Sequence, residues 1–421
     1  MGQNKHYFYI IPGDATYNRG DRINLMSQLA LLQKYFPDNP IYFESRRPKL
    51  DNQWYPAQAV KRHFWPSLEQ LKFWRQAKII IWGGGALLMD NASRVKIPYY
   101  AGLIFIIKKI FRRPVMAWAQ GMIINTGWGR FWANQALNSV DIITVRDEDS
   151  LEAVKRVNPA LKAQITADPA VLATPGTAEA GRQVLDTLGL PNDGKPIIVF
   201  TNTFSPLRYQ AKSVIPTFIS AKFGRKKRHQ PEKLAQLKAS IVKLIDLAVQ
   251  NFGAYILLLP TYPAPWEGPD DIEIFKAIKN SCHYSSQVFI LEKDEYSPKD
   301  YLAMWHHFTA VISLPMHHNI ASVINNVPCI NIYYEPKGRQ FFERLQATDR
   351  LISLEDFSQD NGALQVLKML KQTLANWPVL SIETKKNLLP IQQAAENNAI
   401  ILRHYLDSIN PVAGIHTDDS R

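Results

Sequence analysis

Cysteine is almost missing: Cys282 and Cys329 are the only two in 421 residues. Two thiols build neither a disulfide framework nor a cysteine zinc site, and they fit buried thiols in a reducing compartment. Long apolar runs are missing too. The longest, Tyr99–Ile107, stops at Lys108-Lys109, short of the ~20 residues a membrane span needs. The opening MGQNKHYFYIIPGD has no apolar stretch ending in a small-residue cleavage site, and no Ser/Thr at a myristoylation spacing. No nucleic-acid motif occurs. The pairs His306-His307 and His317-His318 have no carboxylate at a metalloenzyme spacing such as H-E-x-x-H. The expectation is a soluble, cytoplasmic chain without a metal site or nucleic-acid partner.

What is present is ordinary globular composition, 46% hydrophobic and 20% charged, with a formal charge of +12. The length favours two or three domains. Part of the positive excess lies in one run, Lys222–His229. It reads either as a solvated loop or as a contact with an anionic surface, including the inner face of a membrane.

Strand, loop and helix patterns alternate along the chain. Tyr7–Ile11 reads as a strand, and Asn18-Arg19-Gly20-Asp21 leads into the helical spacing of Ile23–Tyr35. Such a helix start holds an anion, or is simply capped with Asp21 near the cap. Residues 48–66 read as loop with short helical pieces. Lys78–Trp82 is a strong strand running into Gly83-Gly84-Gly85, which suits a ligand loop, or tight packing. Ile142–Val145 is followed by Arg146-Asp147-Glu148-Asp149-Ser150. After a Pro/Gly-bearing crossover the alternation restarts at Ile197–Phe200, with a loop to Arg208. Helices are expected at Leu364–Asn376 and Lys385–Ser408.

The stretch Thr309–Gly338 places chemistry on this frame. Ala310–Ser313 reads as a strand before Pro315-Met316-His317-His318, and Cys329–Tyr333 as a strand before Glu335-Pro336-Lys337-Gly338. Ligands of parallel sheets sit beyond the carboxyl ends of strands. Imidazole, carboxylate and ammonium groups therefore meet at one rim. The fold expected is α/β: two Rossmann-like domains with mainly parallel sheets facing a central cleft. The units are 1–175, a linker 176–194, 195–380, a helix 381–409 packing back on the first domain, and a disordered tail 410–421.

The loops, in this order, resemble the polysaccharide pyruvyl transferase family. The matching pieces are Asn18–Asp21, Trp82–Gly85, Ala119–Gly121, Val145–Ser150, Thr166–Pro169, Leu259-Pro260, Val311–His317, Val327-Pro328 and Tyr333–Lys337. The resemblance implies a GT-B-like fold and transfer of a pyruvyl group from phosphoenolpyruvate, without a further cofactor, to a saccharide or lipid-linked saccharide in cell-surface or exopolysaccharide synthesis. It puts catalytic roles on His317 and Arg146. Substrate binding falls to Asn18, Gly20, Asp21, Gly83, Gly84, Gly85, Arg208, Glu335 and Lys337. One position departs: Pro315 stands where the family has an arginine two residues before its histidine. Proline offers no donor to a carboxylate or phosphate, which leaves Arg208, Lys337 or Arg339 to compensate. The alternatives are a glycosyltransferase using a nucleotide sugar, and a saccharide-binding protein without turnover.

Overall fold

The computed structural model describes residues 7–13, 15–91, 93–202, 204, 231–262 and 271–409. Arg208, the run Lys222–His229 and the tail from Asn410 lie outside these residues. Two parallel sheets carry the architecture. The first runs Gln58–Lys61, Ile41–Ser45, Phe8–Ile11, Ile79–Gly83, Val115–Gln120, Ile142–Val145 and Ala163–Ile165 from edge to edge. The second runs Val288–Ile290, Tyr255–Pro260, Ile197–Asn202, Ala310–Ser313, Cys329–Tyr333 and Leu351–Ser353. Central strands such as IIIWG and VMAWAQ are buried at every position, as expected where helices cover both faces. In each sheet the strand order reverses beside the first strand, at Phe8–Ile11/Ile79–Gly83 and at Ile197–Asn202/Ala310–Ser313. Those are the switch points where ligands of such sheets bind.

Three segments differ from the sequence expectation. Residues 48–66, read as loop with short helical pieces, contain the short helix Pro48–Trp54 as expected but also the edge strand Gln58–Lys61, which was not. Four residues at a sheet edge carry too little periodicity to be seen. The segment before the second sheet packs as part of the second half: the helix Ala178–Asp186 lies against Pro298–His307, and Gly176 N–H donates to the Lys299 carbonyl at 3.0 Å. The two C-terminal helices are one, Gly362–Ile409, running through Pro378 and Pro390. The boundary expected at 380/381 falls inside it. Both prolines are exposed, so the carbonyls they release turn to water instead of being stranded in a core.

That helix joins the two halves. Its first part packs on the helix Pro231–Phe252. Its last part lies on the first domain, where fully buried Asn398 accepts from the Thr144 hydroxyl at 2.7 Å and the Thr166 hydroxyl at 3.1 Å. One apolar cluster runs from Ile23, Leu29 and Trp118 through Leu402 to Trp305 and Val311, so the inner faces of both sheets share a core.

A polar clamp closes the other side. Asp294, from the second domain, receives both Arg22 terminal nitrogens at 2.8 and 2.6 Å and Arg47 Nη1 at 3.1 Å. Arg19 Nε stands 3.4 Å away, and its Nη1 and Nη2 donate to the Pro260 and Lys293 carbonyls at 2.8 Å each. Among the described residues, no helix is long and apolar enough to cross a membrane.

Candidate active site in the interdomain cleft

Strand Ala310–Ser313 ends at the cleft, and the helix Met316–Ile324 starts at once, with Pro315 at its N-cap. The φ of −71° there is proline's own. A buried polar layer holds this turn. Asn319 donates to Asn331 at 3.0 Å, and Asn331 donates to the Gly338 carbonyl at 2.9 Å. The helix bearing His317 is thereby tied to the helix Pro336–Arg344 bearing Lys337.

His317 reaches across to the first domain. Its Nε2 is 3.3 Å from Asp168 Oδ2, and its Nδ1 is 3.9 Å from Asp21 Oδ1. The ring lies against Gly20, where a Cβ would stand 2.5 Å from Nδ1. Gly20→Ala must therefore push the imidazole away. We expect a loss of about 1–3 kcal/mol, read as a fall in Tm, and weaker ordering of His317 by NMR.

Asp168 is the hub. It precedes the turn Pro169–Leu172 and accepts from Ala170 N–H at 3.1 Å, Asn24 Nδ2 at 2.6 Å and Arg146 Nη1 at 2.8 Å, besides its contact with His317. Burial alone would raise its pKa. His317, Arg146 and the Ala170 N–H outweigh burial and hold the carboxyl well below the usual range. Arg146 is 5% exposed. Burial opposes its charge, but Asp168 and Asp147 (3.4 Å) more than offset this and raise its pKa. Its guanidinium backs onto Gly121, where a Cβ would stand 2.5 Å from Nη2. Two carboxylates thus already engage Arg146, to which the family resemblance gave a catalytic role.

Several other expected residues have structural partners. Asn18, not Asp21, caps the helix Arg19–Tyr35, accepting from the N–H groups of Gly20 and Asp21 at 2.9 and 3.2 Å. Gly83 and Gly84 have φ of +127° and +88°, and a Cβ on Gly84 would meet Asn24 Oδ1 at 2.6 Å. Gly85 accepts from Gly121 N–H at 3.1 Å. Tight packing and positive φ therefore account for Gly83 and Gly84, whereas a Cβ on Gly85 would meet nothing nearer than Gly13 Cα at 3.9 Å. Glu335 and Lys337 pair at 2.5 Å at the start of their helix. Arg339 pairs with Glu343 at 3.3 Å and is half exposed.

Arg344 is a residue that the sequence did not suggest. It donates to the Arg146 carbonyl at 3.2 Å. With Lys337, Gln340, Met316, Arg146 and Asp168 it lines a cavity of ≈ 30 Å³, room for water only. Nothing marks the last residue of a helix as a site, whereas Asp168 had a signal: Asp-Pro caps a turn.

His318, adjacent in sequence, plays a different part. It is fully buried between the Tyr301 hydroxyl (2.7 Å) and the Thr201 hydroxyl (3.0 Å). Burial first, then Arg19 and His317, push its pKa down to about 3. From pH ~6.5 to about 3 the unfolded chain takes the proton that the folded state refuses. Stability should therefore fall on acidification, by ~1.4 kcal/mol per pH unit from this group. In His318→Gln that segment of the stability–pH curve should flatten. Among the described residues, no group of three or more His, Cys, Asp or Glu could hold a metal ion.

No curated protein matches the chain in sequence. Solved structures match it in fold. The UDP-GlcNAc 2-epimerase from Methanocaldococcus jannaschii has a TM-score of 0.58 at 11% identity, over 95% of this chain and 99% of that one. A putative UDP-N-acetylglucosamine 2-epimerase from Listeria monocytogenes gives 0.53 at 11%, over 97% of each. The wall teichoic acid polymerase TagF, as its H444N variant, gives 0.52 at 12%, over 97% and 91%. These likenesses fit the two-domain, GT-B-like α/β architecture described above. The polysaccharide pyruvyl transferase model matches residues 18–336, a span that starts at the Asn18 cap and ends beside Glu335. The chain belongs to the polysaccharide pyruvyl transferase family.

Proposed function

We propose that this protein transfers a pyruvyl group from phosphoenolpyruvate to two hydroxyls of a saccharide, free or carried on a lipid, forming a ketal in cell-surface polysaccharide synthesis. The observation that carries this is His317, set across the cleft between Asp168 and Asp21. In the reaction the methylene carbon gains a proton, two sugar oxygens bond to its neighbour, and the bond to the phosphate oxygen breaks. One hydroxyl proton balances the proton delivered to carbon; the other leaves with phosphate. His317 is the proton donor, since imidazole transfers protons near neutral pH. Asp168 and Asp21 orient the ring, and Arg146 holds Asp168 rather than substrate.

The cationic role that the family gives to an arginine at position 315 passes to Lys337 and Arg344, which flank the same cavity. A guanidinium holds a carboxylate or phosphate in a bidentate grip. At ≈ 30 Å³ the cavity is too small for the donor, so the domains must part to load it.

Pro315 also favours a second reading, a transferase that takes a nucleotide sugar. Calorimetric titration separates the two. Saturable phosphoenolpyruvate binding, lost in Arg344→Ala with Lys337→Ala, supports pyruvyl transfer. Heat from UDP-GlcNAc and none from phosphoenolpyruvate supports the second reading.

A further inference from the structure

The acidic residues are unevenly placed. Residues 91–140 contain seven Lys and Arg and no Asp or Glu. This stretch supplies two neighbouring helices on the outside of the first domain, Lys96–Phe105 with its continuation Ile106–Ile110, and Gly127–Leu137. Both leave large apolar side chains in solvent: Phe105 is 58% exposed, Ile110 63%, Trp128 54% and Phe131 54%. Beside them Phe64 stacks on Tyr99 with ring centroids 5.2 Å apart, next to Trp65, which is 76% exposed. Arg94, Lys109, Arg112 and Arg130 are exposed on the same segment.

Isolated exposed apolar residues need no explanation, but a concentration of them does. The chemistry also selects among partners. A saccharide surface offers hydroxyls, and Phe105, Phe131 and Ile110 have no polar atom with which to answer them. Aromatic and aliphatic side chains ringed by cations, with Asp141 paired to Lys108 at their border, match the boundary between acyl chains and anionic headgroups. The long Lys and Arg stems lie along apolar surface while their heads reach phosphate.

The patch is also rigidly joined to the cleft. The helix Lys96–Phe105 follows the Gly83–Gly85 loop, and Gly127–Leu137 follows Gln120-Gly121. Asp90 ties together the segments that lead into these helices, accepting the N–H groups of Asn125 and Thr126 at 2.9 and 2.8 Å. We propose that this face of the first domain docks on an anionic lipid bilayer, with Phe105, Ile110, Trp128 and Phe131 entering the interface and Lys109, Arg112 and Arg130 contacting headgroups. The inference needs no donor or turnover, so it stands or falls apart from the reaction.

The test is flotation of the full chain with vesicles of phosphatidylethanolamine and phosphatidylglycerol, and in parallel with phosphatidylcholine alone. Binding to the anionic vesicles only is expected, weakening as salt is raised. Lys109→Glu with Arg130→Glu should lower the partition coefficient by about five-fold or more per cation removed. Phe105→Ser with Phe131→Ser should lower it about ten-fold. Both double variants should keep the parent Tm, since the side chains are exposed. Failure of the parent to bind anionic vesicles would overturn the proposal. So would variants that bind like the parent, or loss of binding only when Lys222–His229 is neutralised. A fall in oligomeric mass in the Phe variants without a change in flotation would reassign the face to a contact between copies.

Discussion

His317→Ala is expected to lower kcat for phosphate release from phosphoenolpyruvate and acceptor by ~10²–10⁴-fold, the range for loss of a general acid. KM should change little. Alanine leaves the cations lining the cavity in place, and an interaction made only in the transition state is lost from kcat and kcat/KM together. Added imidazole should restore part of the rate, because the variant has the space of the missing ring between Asp168 and Asp21. A purely structural histidine would behave differently: Tm would fall and imidazole would do nothing. An active His317→Ala would remove the imidazole from the mechanism.

Asp294→Ala is expected to cost about 3 kcal/mol and to loosen the domains. The side chains of Arg19 and Arg22 are 2% and 4% exposed, and that of Asp294 16%. Arg19 would keep its carbonyl partners on Pro260, Leu291 and Lys293, and Arg22 and Arg47 theirs on Ala15 and Thr16; the loss falls mainly on Arg22 and Arg47 because they make the short contacts to Asp294. Asp294→Asn removes the charge, keeps an acceptor, and should lie between. Calorimetry measures the cost, and solution scattering reads the domain separation as a larger radius of gyration. Because the cavity lined by Lys337 and Arg344 lies between the domains, looser closure should also raise the KM for the proposed donor. An unchanged Tm with an unchanged radius of gyration would mean that the shared apolar core and the helix Gly362–Ile409 hold the halves together without the clamp.

Much of the architecture is legible in the sequence, for a definite reason. A strand buried on both faces has to be an unbroken apolar run, and a covering helix has to repeat at 3.6 residues. Runs such as Ile79–Trp82 and Ala310–Ser313 declare themselves. So does the rim: a loop after a parallel strand is where its polar residues can be, which singles out His317 and Lys337. The short edge strands Gln58–Lys61 and Leu351–Ser353 carry no such constraint. The helix through Pro378 and Pro390 reads as two because sequence shows a proline but not whether its neighbours face water.

Pairing across the cleft is beyond local pattern. Asn18-Arg19-Gly20-Asp21 is four consecutive residues, and each has a different task. Asn18 caps its helix, Arg19 holds the second domain, Gly20 makes room for His317, and Asp21 faces that imidazole. Which of them would meet His317, at position 317, or Asp294, at 294, depends on how two sheets are set against each other. Arg146 shows the same limit: sequence offers a cation at a strand end, and tertiary structure surrounds it with Asp147 and Asp168. The two alternations, their strands and the rim that bears the histidine can be read along the chain, because burial and backbone hydrogen bonding act on neighbours in sequence. Which charges neutralise one another and which face the cleft follows from the packing of the two halves, because electrostatic partners are chosen by distance in space.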